Sequence, residues 1–145
     1  MINLFCRFAS LSWEERFLLC ISTVLLLSCR VLLALFELDR TRRGISRLVR
    51  ASPAVTSVED PDQITWAVTS ANTVLPGSGT CLSQAIVGAT LLAAHGFPAT
   101  VRLGVANPET AFEAHAWVER EGTVVVGDLT DLDRYRRISS WTVSA

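Results

Sequence analysis

Three residues of this chain combine type and position in a way that can do covalent chemistry: Cys81, His115 and Asp128. Cys81 follows the run Pro76-Gly77-Ser78-Gly79-Thr80. It opens a stretch with apolar residues at Leu82, Ala85, Ile86, Ala89, Leu92 and Ala93, the three-and-four spacing of a helix. Thr80 is expected to cap that helix, which makes Cys81 its first residue and closes it at His95-Gly96. A cysteine there sits in the positive end of the helix dipole beside unpaired amides, and both effects favour thiolate over thiol. Its own amide can donate to a developing oxyanion. Taken alone, a cysteine on a helix is more often buried packing.

His115 lies in the strand-like run Phe112-Glu-Ala-His-Ala-Trp-Val118, and Asp128 closes the run TVVVGD. If Glu121-Gly122 form a two-residue turn, His115 and Asp128 face each other across the hairpin. A carboxylate on one ring nitrogen fixes the imidazole tautomer and leaves the other nitrogen to take the thiol proton. The blander roles are a bystander histidine and a turn-forming aspartate beside Gly127, with Asp131 and Asp133 as competing carboxylates. Together the three predict acyl transfer through a thioester: Cys81 as nucleophile, His115 as proton shuttle, Asp128 as its orienting partner. Glu113 and Trp117 share the histidine's strand face by alternation and are expected to bind substrate in the cleft, although Trp117 suits a core equally well. Gln63, Asn72 and Gln84 are weighed as second oxyanion donors against plain polar surface roles, and His95 as a residue answering the helix dipole.

The elements that must position these groups are legible in outline. Ser12-Trp-Glu-Glu15 has the spacing of a capping box, so a helix is expected from there to about Leu38. Its stretch from Phe17 to Phe36 is long enough to span a bilayer and is interrupted only by Arg30, at a cost of roughly 2.5 to 3.5 kcal/mol at the membrane centre. Polar residues recurring at Glu15, Ser22, Arg30 and Glu37 favour a helix packed on protein, with membrane contact through Phe17 to Phe36 as the alternative. Five arginines between Arg40 and Arg50 read as a solvated linker or a surface for an acidic partner or anionic lipid. Asp60-Pro61-Asp62-Gln63 starts a further helix, with Ile64, Ala67, Val68, Ala71, Val74 and Leu75 on one face. Strands ATVRLGV, FEAHAWVER and TVVVGDL follow, which predicts an α+β fold of helices and then an antiparallel sheet. The expected division is an N-terminal helical segment, residues 1–52, and a catalytic core, residues 53–145.

At 145 residues the chain has room for one core. Its net charge of -1, with all 13 basic residues arginine, argues against general nucleic-acid binding and suits a bacterial source rich in G and C. Cys6, Cys20, Cys29 and Cys81 form no metal or disulfide pattern, so no metal, no cofactor and a reducing, cytoplasmic setting are expected. The start MINLFCRFAS lacks the features of a signal peptide, and the mature chain is expected to begin near Met1.

The runs CLSQAIVGATLLAAHGFPATVRLGV and FEAHAWVEREGTVVVGD resemble the transglutaminase-like leader peptidases of lasso-peptide biosynthesis, the B proteins. The resemblance is strong from Leu75 to Asp128. It implies a papain-like, transglutaminase-like core and a catalytic triad of Cys81, His115 and Asp128. It further implies cleavage of the leader from a ribosomally made precursor, which frees the amine that a separate ATP-dependent cyclase joins to a side-chain carboxylate. The N-terminal leader-recognition domain of fused members is not visible, which implies the split form, served by a separate leader-recognition protein. An acyltransferase of the same fold and a noncatalytic scaffold of a peptide-maturation complex are the competing expectations.

Overall fold

The computed structural model describes residues 9–51, 58–77, 80–106 and 112–144. Helix α1 (Trp13–Leu35) starts as its capping box requires: Ser12 Oγ accepts from the Glu15 amide at 3.2 Å, and Glu15 Oε2 accepts from the Ser12 amide at 2.9 Å. It stops short of Leu38, because Phe36 turns extended, and a second helix, α2 (Leu38–Ala51), begins at once. The arginine segment is therefore no linker. Thr41, Ile45 and Val49 recur at every fourth position, and this buried stripe, masked in the sequence by the arginines between its members, docks the segment as a helix.

Helix α3 (Pro61–Val74) has the expected start, with the Asp60 carboxylate accepting from the Asp62 amide at 2.9 Å and proline at the first helical position. Helix α4 (Cys81–Ala94) is buried along most of its length and ends at His95, whose Nδ1 lies 2.8 Å from the Leu91 carbonyl. Strands β1 (Ala99–Ala106), β2 (Glu113–Arg120), β3 (Thr123–Val126) and β4 (Arg136–Val143) then form an antiparallel sheet of order β3-β2-β1-β4, with a 3-10 turn at Leu132–Arg134. Strand β4 has no counterpart in the sequence reading. Its run Arg-Arg-Ile-Ser-Ser-Trp-Thr-Val lacks the apolar alternation of a half-buried strand, because it is an edge strand exposed along most of its length.

The helices pack on one face of the sheet. Leu26 and Ile45 meet Ile64, Val68, Ile86, Leu92, Val101 and Val118 in a single core that draws on both sides of residue 52. Helix α1 is long and apolar enough to cross a membrane by length and composition, and 28% of that span is buried in the structure. Leu18, Ser22, Leu25, Leu26 and Cys29 form its packed face, while Val24, Leu27, Val31 and Leu35 remain exposed.

Candidate active site

Cys81 is the first residue of α4, half-buried and unpaired as a thiol. Thr80 occupies the capping position but does not cap: its backbone is αR, and its hydroxyl instead accepts from Asn72 Nδ2 at 3.3 Å. The Thr80 carbonyl takes the hydroxyl of Ser83 at 2.9 Å and the amide of Gln84 at 3.0 Å. With the side-chain cap missing, the amides of Cys81, Leu82 and Ser83 donate to none of the described residues. These are the donors that a helix start offers to an anion.

A polar network sets the position of this helix start. Arg30, on α1, donates to the Pro76 carbonyl at 2.7 Å and to Asn72 Oδ1 at 3.2 Å. Asn72 passes the contact to Thr80 and to Gln84 Oε1 at 3.3 Å, and Gln84 Nε2 reaches Thr69 at 3.5 Å. Asn72 and Gln84, considered above as oxyanion donors, are thus engaged in holding the approach to Cys81. Gln63 is an exposed residue of the first turn of α3. Arg30 is a positioning residue that the sequence reading missed. The signal was available, since a lone arginine in an apolar helix must find acceptors when the helix packs on protein.

His115 is half-buried on β2, and its Nε2 lies 2.6 Å from the Gly127 carbonyl. A carbonyl can only accept, so Nε2 carries the hydrogen, and in the neutral ring Nδ1 is the basic nitrogen. The ring is further held by Trp117, stacked at a centroid distance of 6.1 Å, and by Tyr135 at 5.5 Å. Gly127 is required twice over. It has φ +80, and an added Cβ would stand 2.9 Å from the Ala116 carbonyl. Gly104, opposite His115 in the ladder, leaves room for the indole of Trp117, which a Cβ would meet at 2.9 Å.

The expected ladder pairing of His115 with Asp128 does not form. The turn is as predicted, with Glu121 and Gly122 both at positive φ, and Arg120 pairs with Thr123. A bulge then slips the register by one residue, and the ladder ends at Val118 and Val126. Asp128 lies beyond it, exposed, and its carboxylate has no hydrogen bond to His115. The neighbouring Gly127 carbonyl makes the contact assigned above to Asp128. Cys81 and His115 are not hydrogen-bonded to each other either. By strand alternation Ala116 and Val118 face the helices, and His115 and Trp117 turn to the other face.

Trp117, expected to bind substrate, is 2% exposed and has no surface to offer one. Its indole donates to Glu119 Oε1 at 3.0 Å, and Glu119 also accepts from Arg102 and Arg137 at 3.0 Å each. Burial raises the Glu119 pKa, but the Trp117 and Arg102 hydrogen bonds and the charges of Arg102 and Arg137 outweigh it and hold the carboxyl below its usual value. Glu113 is half-exposed and accepts from Tyr135 at 3.1 Å and from Arg134. Asp131 pairs with Arg134 at 2.7 Å. Tyr135, the chain's single tyrosine, thus links Glu113 to the His115 ring. Among the described residues no cluster of histidine, cysteine and carboxylates fit to hold a metal occurs. Cys29, by contrast with Cys81, is fully enclosed, and burial pushes its thiol up to about 12.

Residues 23–140 match the family model of the transglutaminase-like superfamily. No curated protein and no solved structure matches the chain.

Proposed function

The chain belongs to the transglutaminase-like superfamily, and from that premise we propose that it is a cysteine peptidase that removes the leader from a ribosomally made lasso-peptide precursor. The fold is compatible with a cysteine peptidase or an acyltransferase, both of which work through a thioester. The observation that carries the acyl-transfer chemistry is Cys81 at the start of α4, beside amides that no side chain among the described residues caps. Support for the leader-peptidase assignment is the resemblance of the runs from Cys81 to Val105 and from Phe112 to Asp128.

In the proposed reaction His115 takes the Cys81 proton at Nδ1, and the thiolate attacks the scissile carbonyl. The first amides of α4 receive the oxyanion. As the carbon–nitrogen bond breaks, the imidazolium protonates the leaving amine, which departs as the N-terminus of the core peptide. Water, deprotonated by His115, then cleaves the thioester and releases the leader as a carboxylate. The freed amine is the group a separate ATP-dependent cyclase acylates. Proton transfer requires thiol and ring within hydrogen-bond reach, so the proposed reaction demands that substrate binding bring the His115 ring from the far face of the sheet to Cys81. Gly127 fixes the tautomer through its carbonyl, and Asp128, next in the chain, is proposed to stabilise the imidazolium. A separate recognition protein is proposed to bind the leader and present it.

Mass spectrometry of a candidate precursor, incubated with the chain and the recognition protein, tests this reading. Loss of the leader with the native chain and not with Cys81→Ala is expected. Cleavage that survives Cys81→Ala would overturn the mechanism, and equal cleavage without the recognition protein would remove the split arrangement.

A further inference from the structure

The arginines of α2 line a cleft of about 610 Å³ whose other wall is the end of β4. Arg42, Arg43, Arg47 and Arg50 stand on one side and Trp141 and Val143 on the other. Arg42 is committed to the wall itself: its guanidinium lies 4.2 Å over the Trp141 ring and pairs with Asp39 at 3.2 Å. Among the described residues, Arg43 donates only to a backbone carbonyl of its own helix. Arg47 and Arg50 form no ion pair with any described residue. A chain of net charge -1 thus gathers three uncommitted cations in one cleft, a local field that selects for negative charge.

The opposite wall is the outer edge of the sheet, where, among the described residues, β4 pairs with β1 on one side and with nothing on the other. Exposed edges invite pairing with another chain and are usually blunted by charges or bulges. The first half of β4 is blunted in this way, by Arg136, Arg137 and a bulge that leaves Ile138 unpaired. The second half, Ser139–Val143, is regular and uncharged. Five residues of strand extend about 17 Å. The cleft-facing stripe of α2, from Asp39 to Arg50, is about 16 Å long at the helical rise. Of that edge, Trp141, Thr142 and Val143 line the cleft, and Ser144 continues it. Arg43 and Arg47 lie about 6 Å apart along the helix axis, close to the spacing of about 7 Å between alternate residues of a strand.

We propose that this cleft is a docking site for an extended acidic peptide, which adds a strand to the free edge Ser139–Val143 and presents alternate carboxylates to Arg43, Arg47 and Arg50. Backbone hydrogen bonds supply the affinity, and the arginines select the side chains and the register. The strand edge favours a peptide over a nucleic acid or a lipid surface, neither of which can use it. A peptide continuing past the Ile138 bulge arrives at Arg136, beside Tyr135, whose ring lies 5.5 Å from that of His115. The docking stands without the peptidase reading, and only that last link to His115 rests on it.

The probe is a fluorescein-labelled decapeptide of alternating glutamate and threonine, followed by fluorescence anisotropy with the intact chain. Two further peptides carry N-methyl groups, one at every glutamate and one at every threonine. Only one of these two sets of amides faces the β4 edge, so the methylated peptides should differ in affinity by tenfold or more. The double substitution Arg43→Glu with Arg47→Glu should weaken the unmethylated peptide at least tenfold. Absence of binding, equal affinity of the two methylated peptides, or an unchanged affinity in the double variant overturns the proposal. So does tighter binding of a single-stranded oligonucleotide or of phosphatidylglycerol vesicles. Because the readout is binding, its failure leaves the cleavage chemistry of Cys81 untouched.

Discussion

Gly127→Ala separates the backbone demand at this position from its role beside His115. Gly127 and Gly122 both have φ +80, so alanine at either meets the same left-handed penalty of about 1 to 2 kcal/mol. They differ in surroundings: a Cβ at Gly122 meets nothing within 4 Å, whereas one at Gly127 stands 2.9 Å from the Ala116 carbonyl and 3.2 Å from Trp117 Cα. The contacted atoms are backbone of β2 and cannot swing aside, which brings the expected cost of Gly127→Ala to about 2 to 3 kcal/mol. For a chain of this size that lowers the melting temperature by about 5 to 10 °C, against about 2 to 6 °C for Gly122→Ala. Displacing residue 127 also displaces the carbonyl that holds Nε2 of His115 at 2.6 Å. The nitrogen NMR shifts of the His115 ring, which report the nitrogen that carries the hydrogen, should therefore change in Gly127→Ala and not in Gly122→Ala. Equal melting temperatures and identical His115 ring shifts for the two variants would refute both the steric and the tautomer argument.

Arg30→Met keeps the apolar stem and removes the bonds to Pro76 and Asn72. It should cost about 1.5 to 3 kcal/mol and speed amide exchange between residues 80 and 84, and unchanged exchange there would dissociate Arg30 from the site. Glu119 has its folded pKa below the usual value of 4.5, so its charge stabilises the fold fully above that value and the contribution is lost as pH falls through the lower folded value. Glu119→Gln should consequently destabilise at pH 7 and converge with the native chain in acid, and a gap constant with pH would exclude the carboxylate charge as its source. Cys29, enclosed and with its thiol pushed up to about 12, should resist iodoacetamide until the chain is denatured, while Cys81 and the exposed Cys20 react in the native state. Mapping the modified cysteines by mass spectrometry decides this, and labelling of Cys29 at the rate of Cys20 would contradict its burial.

Where the local signal and the tertiary structure agree, the sequence was sufficient. The capping box at Ser12, the proline at the start of α3, the two-residue turn at Glu121-Gly122 and the place of Cys81 on its helix all follow from short-range chemistry. The errors are of one kind. A bulge next to Val118 moved Asp128 out of register, and nothing in the run TVVVGD announces a bulge. The hydroxyl of Thr80 was drawn from its helix to Asn72, eight residues away in sequence. Strand β4 is held by pairing to β1 more than by its own pattern. Each outcome was decided by a partner that local spacing does not reveal.

The same dependence on distant partners explains how one helix can look like a membrane span and act as part of a site. Arg30 cannot lie at the centre of a bilayer and also donate to the Pro76 carbonyl and Asn72, which belong to the scaffold of the Cys81 helix start. Crossing a membrane would forfeit those two bonds in addition to the roughly 2.5 to 3.5 kcal/mol of placing an arginine at its centre. It would also strip Leu25, Leu26 and Cys29 from the core they share with α3 and α4. The exposed stripe of Val24, Leu27, Val31 and Leu35 is under no such constraint, because none of its side chains is packed into that core. A lipid surface or a protein face can cover that stripe while the packed side of α1 keeps hold of the helix that Cys81 opens. What the packed structure opposes is full insertion, since that alone requires α1 to abandon the residues that position Cys81.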